Sequence, residues 1–107
     1  MEKIVELTLL YDFYGELLTA KQQEVYEAVV LEDCSYSEVA ENLSISRQGV
    51  HEMVKRCTAI LTDYESRLHL VAKFLTIQSK IRLLKEAAVK SGHTEIEHMA
   101  NEVLEEL

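Results

Sequence analysis

Residues 35–50 read SYSEVAENLSISRQGV and decide the fold of this 107-residue chain. Ser35 and Glu38 stand three residues apart, the spacing of a capping box at the start of a helix. Ser46 is placed to cap a second helix in the same way, eleven residues after the first cap. Between the two caps, Ala40 is small enough to let crossing helices approach closely. Two capped helices joined by a tight turn predict a helix-turn-helix.

The second helix of this motif begins at Arg47 and carries the side chains that a helix-turn-helix offers to the DNA major groove. Its apolar positions between Val50 and Cys57 are predicted to face the core, so the polar positions face outward. In the alternative, the motif is a compact scaffold whose polar residues are only solvated. The residues predicted to bind nucleic acid are Arg47, Gln48 and His51 on base edges, with Lys55, Arg56 and Lys21 on phosphates.

The composition favours helices throughout. The chain has no proline and three glycines, and it lacks the dipeptides that mark β-turns. A hydrophobic content of 48% is enough for the core of one domain, alone or with an attached oligomerisation element. We therefore predict an all-α fold. Apolar spacing and caps place helices at about 3–17, 20–31 and 36–43, followed by one that begins at 47.

Two apolar seams overlap in the stretch that follows, and no clear stop appears before Gly92. This overlap predicts either a kink near residues 62–67 or one long helix that changes its packing partner. Thr94 and Glu97 have capping-box spacing and open a final helix. The predicted domains are residues 1–62, a helix-turn-helix bundle, and residues 63–107, an oligomerisation element made of the long helix and the terminal helix.

The second seam has heptad spacing and is too long for so small a chain to bury alone. We expect it to form a homodimer, since two-fold dimers are the commonest closed assembly. In the alternative, a terminal helix at 95–106 folds back over the seam in a monomer. The residues assigned to the dimer seam are Leu70, Phe74, Ile77, Ile81 and Leu84.

Charge is distributed unevenly along the chain, whose formal net charge is −8. Residues 1–57 have a net charge of −6, and three of their acids, Glu38, Glu41 and Glu52, would weaken attraction to phosphates. Residues 67–90 have a net charge of +5 and are predicted to bind RNA, DNA or an acidic face of a protein partner. The alternative is that they solvate a helix or pair with the acidic tail. The basic residues assigned to this helix are Arg67, Lys73, Lys80, Arg82 and Lys85.

The sequence gives little support for catalysis, metal binding or membrane insertion. The four histidines lack the HExxH spacing of metalloproteases, and no phosphate-binding loop or nucleophile elbow occurs, so we expect no enzyme and no cofactor. Cys34 and Cys57 are too far apart for a close-spaced metal motif, and we expect reduced thiols, one in a loop and one in a core. We also expect no signal peptide and no membrane insertion.

Residues 9–22, LLYDFYGELLTAKQ, resemble the opening signature of the YlxM family of small bacterial proteins. The resemblance continues through 46–50 (SRQGV), 54–56 (VKR) and 64–70 (YESRLHL), and covers roughly residues 3–75. It implies a helix-turn-helix similar to sigma-factor region 4, with an added long C-terminal helix, in a cytoplasmic protein. The family's genes typically neighbour those of the signal recognition particle GTPase and its receptor, which implies a role in that targeting pathway.

Two hypotheses of function follow. In the first, the chain is a regulatory accessory of the signal recognition particle that binds the particle's RNA or its GTPase. In the second, it is a dimeric transcription regulator that reads a DNA sequence. A third possibility is a protein–protein adaptor that kept the fold and lost nucleic-acid binding.

Overall fold

The computed structural model describes residues 2–107, and this part of the chain contains helices and no β-strand, which confirms the all-α prediction. It divides into two compact units: the first ends at His69 and the second is Leu70–Leu107. The elements are α1 Lys3–Tyr14, a 3₁₀ turn Gly15–Leu17, α2 Ala20–Tyr26, a π turn Glu27–Leu31, α3 Tyr36–Leu43, α4 Arg47–Leu68, α5 Leu70–Ser91 and α6 Thr94–Glu106.

The caps that the sequence predicts for the helix-turn-helix are present. The Ser35 hydroxyl accepts the Glu38 backbone N–H at 3.1 Å, and the Glu38 carboxylate accepts the Ser35 N–H at 3.2 Å. Ser46 caps α4 by accepting the Gly49 N–H at 2.9 Å. α2 has a capping box of its own, at Thr19. Each cap satisfies a backbone donor that a helix start leaves unpaired.

The turn between α3 and α4 closes through a left-handed residue. Ser44 has φ 55°, and the Ile45 N–H donates to the Ala40 carbonyl at 3.0 Å, which ends α3 and redirects the chain. The Ile45 side chain then packs against a buried cluster that contains Val39 and Val50. The crossing angle of the motif is therefore held by its core.

Tyrosines fasten α1 to the rest of the first unit. Tyr14 is 1% exposed and donates its hydroxyl to Glu65 Oε1 at 2.6 Å, and Tyr26 donates to the Leu7 carbonyl at 2.8 Å. Tyr11 stacks on Tyr26 with ring centroids 5.0 Å apart. Burial raises the pKa of Tyr26, and burial together with a hydrogen bond to Glu27 raises the pKa of Tyr11 to about 12.

The long helical stretch is broken at His69. The sequence predicted either a kink near residues 62–67 or one long helix, and neither alternative places a break at this residue. His69 has φ 56° and its N–H donates to the Glu65 carbonyl at 2.9 Å, so α4 ends in a left-handed cap. Residues 62–67 remain helical, and the Asp63–Arg67 ion pair at 3.0 Å supports that last turn. Along the chain, the boundary between the compact units lies between His69 and Leu70, whereas the predicted domain boundary after residue 62 falls inside α4.

The second unit is a hairpin of α5 and α6. Gly92 has φ +73°, and the His93 N–H donates to the Ala88 carbonyl at 2.9 Å, which confirms Gly92 as the residue that ends α5. The predicted capping box at Thr94 is wrong. His93 occupies the cap position without a side-chain hydrogen bond, and its carbonyl accepts the Glu97 N–H at 3.0 Å, so Thr94 is already the first residue of α6.

α6 packs along α5 around two small buried residues, Ala88 and Ala100. It therefore returns over part of the apolar seam, as the monomer alternative expects. Ile81 becomes half-buried, but Ile77 and Leu84 of the same seam stay exposed. The return of α6 leaves the seam incompletely covered, and the homodimer stays a prediction.

Candidate nucleic-acid interface

One side of α4 presents the predicted recognition residues together. Arg47, Gln48, His51 and Lys55 are all exposed. At 3.6 residues per turn they fall within an arc of about 100°, which begins about 40° from the buried Leu61 and turns away from it and from Val50 and Cys57. We call these four residues the α4 arc.

Tyr36 joins the α4 arc from the first turn of α3. Its ring meets the His51 ring edge-on, with centroids 5.2 Å apart, and the two residues line a shallow groove with Arg47 and Gln48. An aromatic ring beside a histidine and an arginine can stack on a base as well as pack on the sugar of a nucleic acid. Tyr36 was not among the residues predicted from the sequence. Tyr36 is half-buried and also packs on the core cluster of Val39 and Val50, and its place directly after the Ser35 cap was the signal that could have put it at the N-terminal end of α3.

Glu52 limits what the α4 arc can bind. It accepts a hydrogen bond from the Gln48 amide at 3.0 Å, which occupies one of that amide's two N–H donors and fixes its orientation. Its carboxylate also lies on the exposed side of α4 beside the cations. Because phosphate attraction dominates nucleic-acid affinity, this acid lowers the affinity that the arc can reach.

Two other predicted contacts lie apart from the α4 arc. Arg56 is turned about 100° away from Lys55 and lines a separate groove of α4 with Ile60, Asp63 and Tyr64. Lys21 is exposed, but it belongs to the first turn of α2. The structure thus brings together four of the six residues predicted on nucleic acid and leaves Arg56 and Lys21 on other surfaces.

The basic residues predicted on one long helix are divided by the structure. Arg67 belongs to the last turn of α4, where it binds Asp63. On α5, Arg82 and Lys85 line a groove with Val89, Lys90 and Leu104, and Glu86 is among them. Lys73 and Lys80 lie on another side of α5 by helical pitch. No single basic stripe therefore runs along the hairpin.

The two cysteines lie where the sequence predicts them. Cys57 is fully buried in the core of the first unit, where burial raises the pKa of its thiol, and its Sγ contacts the Gln22 carbonyl at 3.9 Å. Cys34 is half-buried in the connection before α3. Among residues 2–107, no three His, Cys, Asp or Glu side chains are placed to hold a metal ion. No helix in the same range has the length and apolarity that crossing a membrane requires.

Sequence comparison identifies the family of this chain. The sequence profile of UPF0122, described as "Putative helix-turn-helix protein, YlxM / p13 like", matches residues 1–102. The chain belongs to this family. A UPF0122 protein of Symbiobacterium thermophilum is 46% identical over 86 residues, 80% of this chain and 78% of the relative. One from Caldanaerobacter subterraneus subsp. tengcongensis is 50% identical over 80 residues, 75% and 68% of the two chains.

The UPF0122 family match covers both compact units. A relative from Bacillus pumilus is 36% identical over 107 residues, which are 100% of this chain and 97% of the relative. The profile match includes the α4 arc and nearly all of the hairpin. The α5–α6 hairpin is therefore part of the UPF0122 architecture and not an addition peculiar to this chain.

Proposed function

We propose that this UPF0122 protein is a regulatory accessory of the signal recognition particle in the bacterial cytoplasm, and that it binds the particle's RNA or its GTPase. The α4 arc carries this proposal: Arg47, His51 and Lys55 are exposed on a capped helix of a helix-turn-helix, next to the Tyr36 ring. The assignment to this pathway comes from the resemblance to the YlxM family. The basic residues of α5 offer a second surface for the same partner.

The α4 arc supports weak, shape-dependent binding more than tight binding. Arg47 and Lys55 are its two permanent cations, and Glu52 lies beside them. Two phosphate contacts give a salt dependence of roughly −1 to −2 in log affinity per log salt, much shallower than in dedicated repressors. The Tyr36 and His51 rings add stacking on unpaired bases, which favours RNA loops over a regular duplex.

A titration of the particle's RNA with the full-length chain tests this proposal. We expect a mobility shift at micromolar protein that Arg47→Ala and Lys55→Ala together weaken at least fivefold. Lys3→Ala is the control, an exposed cation of α1 that belongs to neither proposed binding surface. Reconstituted particle supplies the second readout, its GTPase rate. No change in RNA mobility or GTPase rate at 100 µM protein, on the order of a hundred times a micromolar constant, would remove the proposal.

A sequence-specific transcription regulator is the second candidate. The grouping of Arg47, Gln48 and His51 at the start of α4 favours it, since this is where a recognition helix reads base edges. Lys21, Lys55 and Arg56 would then hold phosphates. Selection from random duplex DNA should yield two half-sites for a dimer. A response of the GTPase without any nucleic-acid binding would instead identify a protein–protein adaptor.

A homodimer is part of this proposal. The seam on α5 includes Ile77 and Leu84, which are exposed although they are large and apolar. A dimer through this seam would carry two α4 arcs. Sedimentation of the full-length chain measures this directly, independently of nucleic acid.

A further inference from the structure

We infer that the α5–α6 hairpin docks on the hairpin of a second copy to form an antiparallel four-helix bundle, in which each α5 lies against the partner's α6. This rests on the proposed homodimer and extends it, because α6 becomes half of the interface. A dimer through the α5 seam alone would instead be a contact between the two α5 helices, with α6 outside the interface.

The hairpin cannot bury its own apolar residues. Within Leu70–Leu107, all of which the structure describes, the buried apolar side chains are Val71, Ala88 and Ala100. Nine of the fifteen exposed large apolar residues among residues 2–107 belong to these 38 residues. Two helices with two alanines at their contact make too small a core to be stable alone.

Five of these nine exposed apolar residues gather on one face of the hairpin. On α5, Ile77 and Leu84 lie within about 20° of each other, on one side of the contact that Ala88 makes. On α6, Ile96, Val103 and Leu107 lie within about 40°, on one side of Ala100. Because α5 and α6 are antiparallel, these two sides are the same side of the hairpin. We call these five residues the hairpin face; they are 38–50% exposed.

The opposite side of the hairpin is charged. It carries Arg82, Lys85, Glu86 and Lys90 around the groove that Leu104 completes. An apolar face backed by a charged one is the pattern of a helix pair that packs on a single further layer. The second layer must supply an apolar face of the same size, and another hairpin has one.

Charge selects the pairing of the helices. α5 carries five Lys or Arg residues and one Glu, whereas α6 carries five Glu and no Lys or Arg. A two-fold axis parallel to the helices places α5 against the partner's α6, so opposite charges meet and all neighbours are antiparallel. An axis across the helices would place α5 on α5 and cations on cations. Lys80 borders the α5 half of the hairpin face and Glu106 borders the α6 half, so these two meet across the bundle.

The area of the hairpin face sets the affinity that we expect for the dimer. α5 is about 33 Å long and α6 about 20 Å, and with helices about 10 Å wide the face covers roughly 500 Å² per copy. Specific interfaces typically bury about 800 Å² per partner. We therefore expect a dimer that dissociates at micromolar concentration, which makes its loss measurable.

Sedimentation equilibrium of the full-length chain tests this with a matched pair of variants. Val103→Glu places a charge on the hairpin face, and Val89→Glu makes the same change at a 53% exposed valine on the charged side. We expect Val103→Glu to raise the dissociation constant at least tenfold and Val89→Glu to change it less than twofold. Circular dichroism checks that both variants keep the helical content of the parent.

Charge reversal tests the pairing without disturbing the core. Lys80→Glu and Glu106→Lys should each weaken the dimer two- to fivefold, and the double variant should restore it. A dimer lost in Ile77→Glu but unchanged in Val103→Glu and in both charge reversals would overturn the bundle while leaving the α5 seam. A monomer at 100 µM would overturn the bundle and the homodimer. Neither result depends on the RNA titration, which tests nucleic-acid binding separately.

Discussion

The unit that ends at His69 and the α5–α6 hairpin are both helical, but they reach stability by different means. The first has a core of fully buried large side chains such as Tyr14, Tyr26 and Leu61, with tyrosine hydroxyls bound to partners. Its α2, α3 and α4 each begin with a side-chain cap. The hairpin has an uncapped α6 and a contact built on two alanines. The first unit therefore buries large side chains in a core of its own, whereas the hairpin leaves most of its large apolar side chains exposed.

Shortening a core residue should distinguish the two units most strongly. Leu61→Ala removes a fully buried side chain from α4 and should lower the free energy of unfolding by about 2–5 kcal/mol. Leu83→Ala removes the same atoms from a 64% exposed position of α5 and should cost less than about 0.5 kcal/mol. Urea denaturation of both variants measures the difference, and equal losses would contradict the comparison.

Two glycine substitutions should lower the free energy of unfolding for different reasons. A Cβ at Gly15 would lie 2.8 Å from the Tyr11 ring, which is stacked on Tyr26 and cannot turn aside, so Gly15→Ala should cost about 1–3 kcal/mol. Gly92→Ala meets open space but must adopt a positive φ, at a cost of about 1 kcal/mol. Thermal denaturation of both variants is the check. Gly15→Ala should cost less stability in a Tyr11→Ala background than in the parent. If it costs as much, the steric explanation is wrong.

Removing a cap should matter in the first unit and not in the hairpin. Ser46→Ala takes away the acceptor of the Gly49 N–H and should cost about 1 kcal/mol. Thr94→Ala removes a hydroxyl that caps nothing and should stay within about 0.5 kcal/mol of the parent. A larger loss for Thr94→Ala, measured in the same denaturant series, would restore the capping box that the sequence predicted.

Alkaline pH should weaken the first unit gradually. The folded-state pKa of Tyr26 is raised by burial, and that of Tyr11 is raised to about 12, so both keep their protons above pH 10, where the unfolded chain loses them. Their contribution is therefore fully present below pH 10 and is lost as the pH rises towards 12. The denaturation midpoint should fall as the pH rises from 10 to 12, and it should fall less in Tyr26→Phe. An equal fall in both would show that other groups set the alkaline limit.

Local signals predicted much of this structure. The capping box at Ser35, the start of α4 after Ser46 and the end of α5 at Gly92 depend on a few neighbouring residues, and all three are confirmed. The break at His69 was not predicted, because histidine adopts a left-handed conformation without a turn dipeptide to mark it. Tyr36 was missed because its contact with His51 joins two helices. Capping-box spacing also suggested a cap at Thr94, but the turn at Gly92 prevents that cap from forming.

Amide hydrogen exchange at two protein concentrations is the most direct test of the central claim. The claim is that the first unit is stable alone, whereas the hairpin is stabilised by a second copy. At 1 µM and at 200 µM, amides in the middle of α4 around Leu61 should be equally protected, since their protection comes from the core of their own unit. Amides of α5 and α6 around Leu84 and Val103 should become at least tenfold better protected at the higher concentration. Hairpin amides as protected at 1 µM as those of α4, and unchanged at 200 µM, would contradict this account.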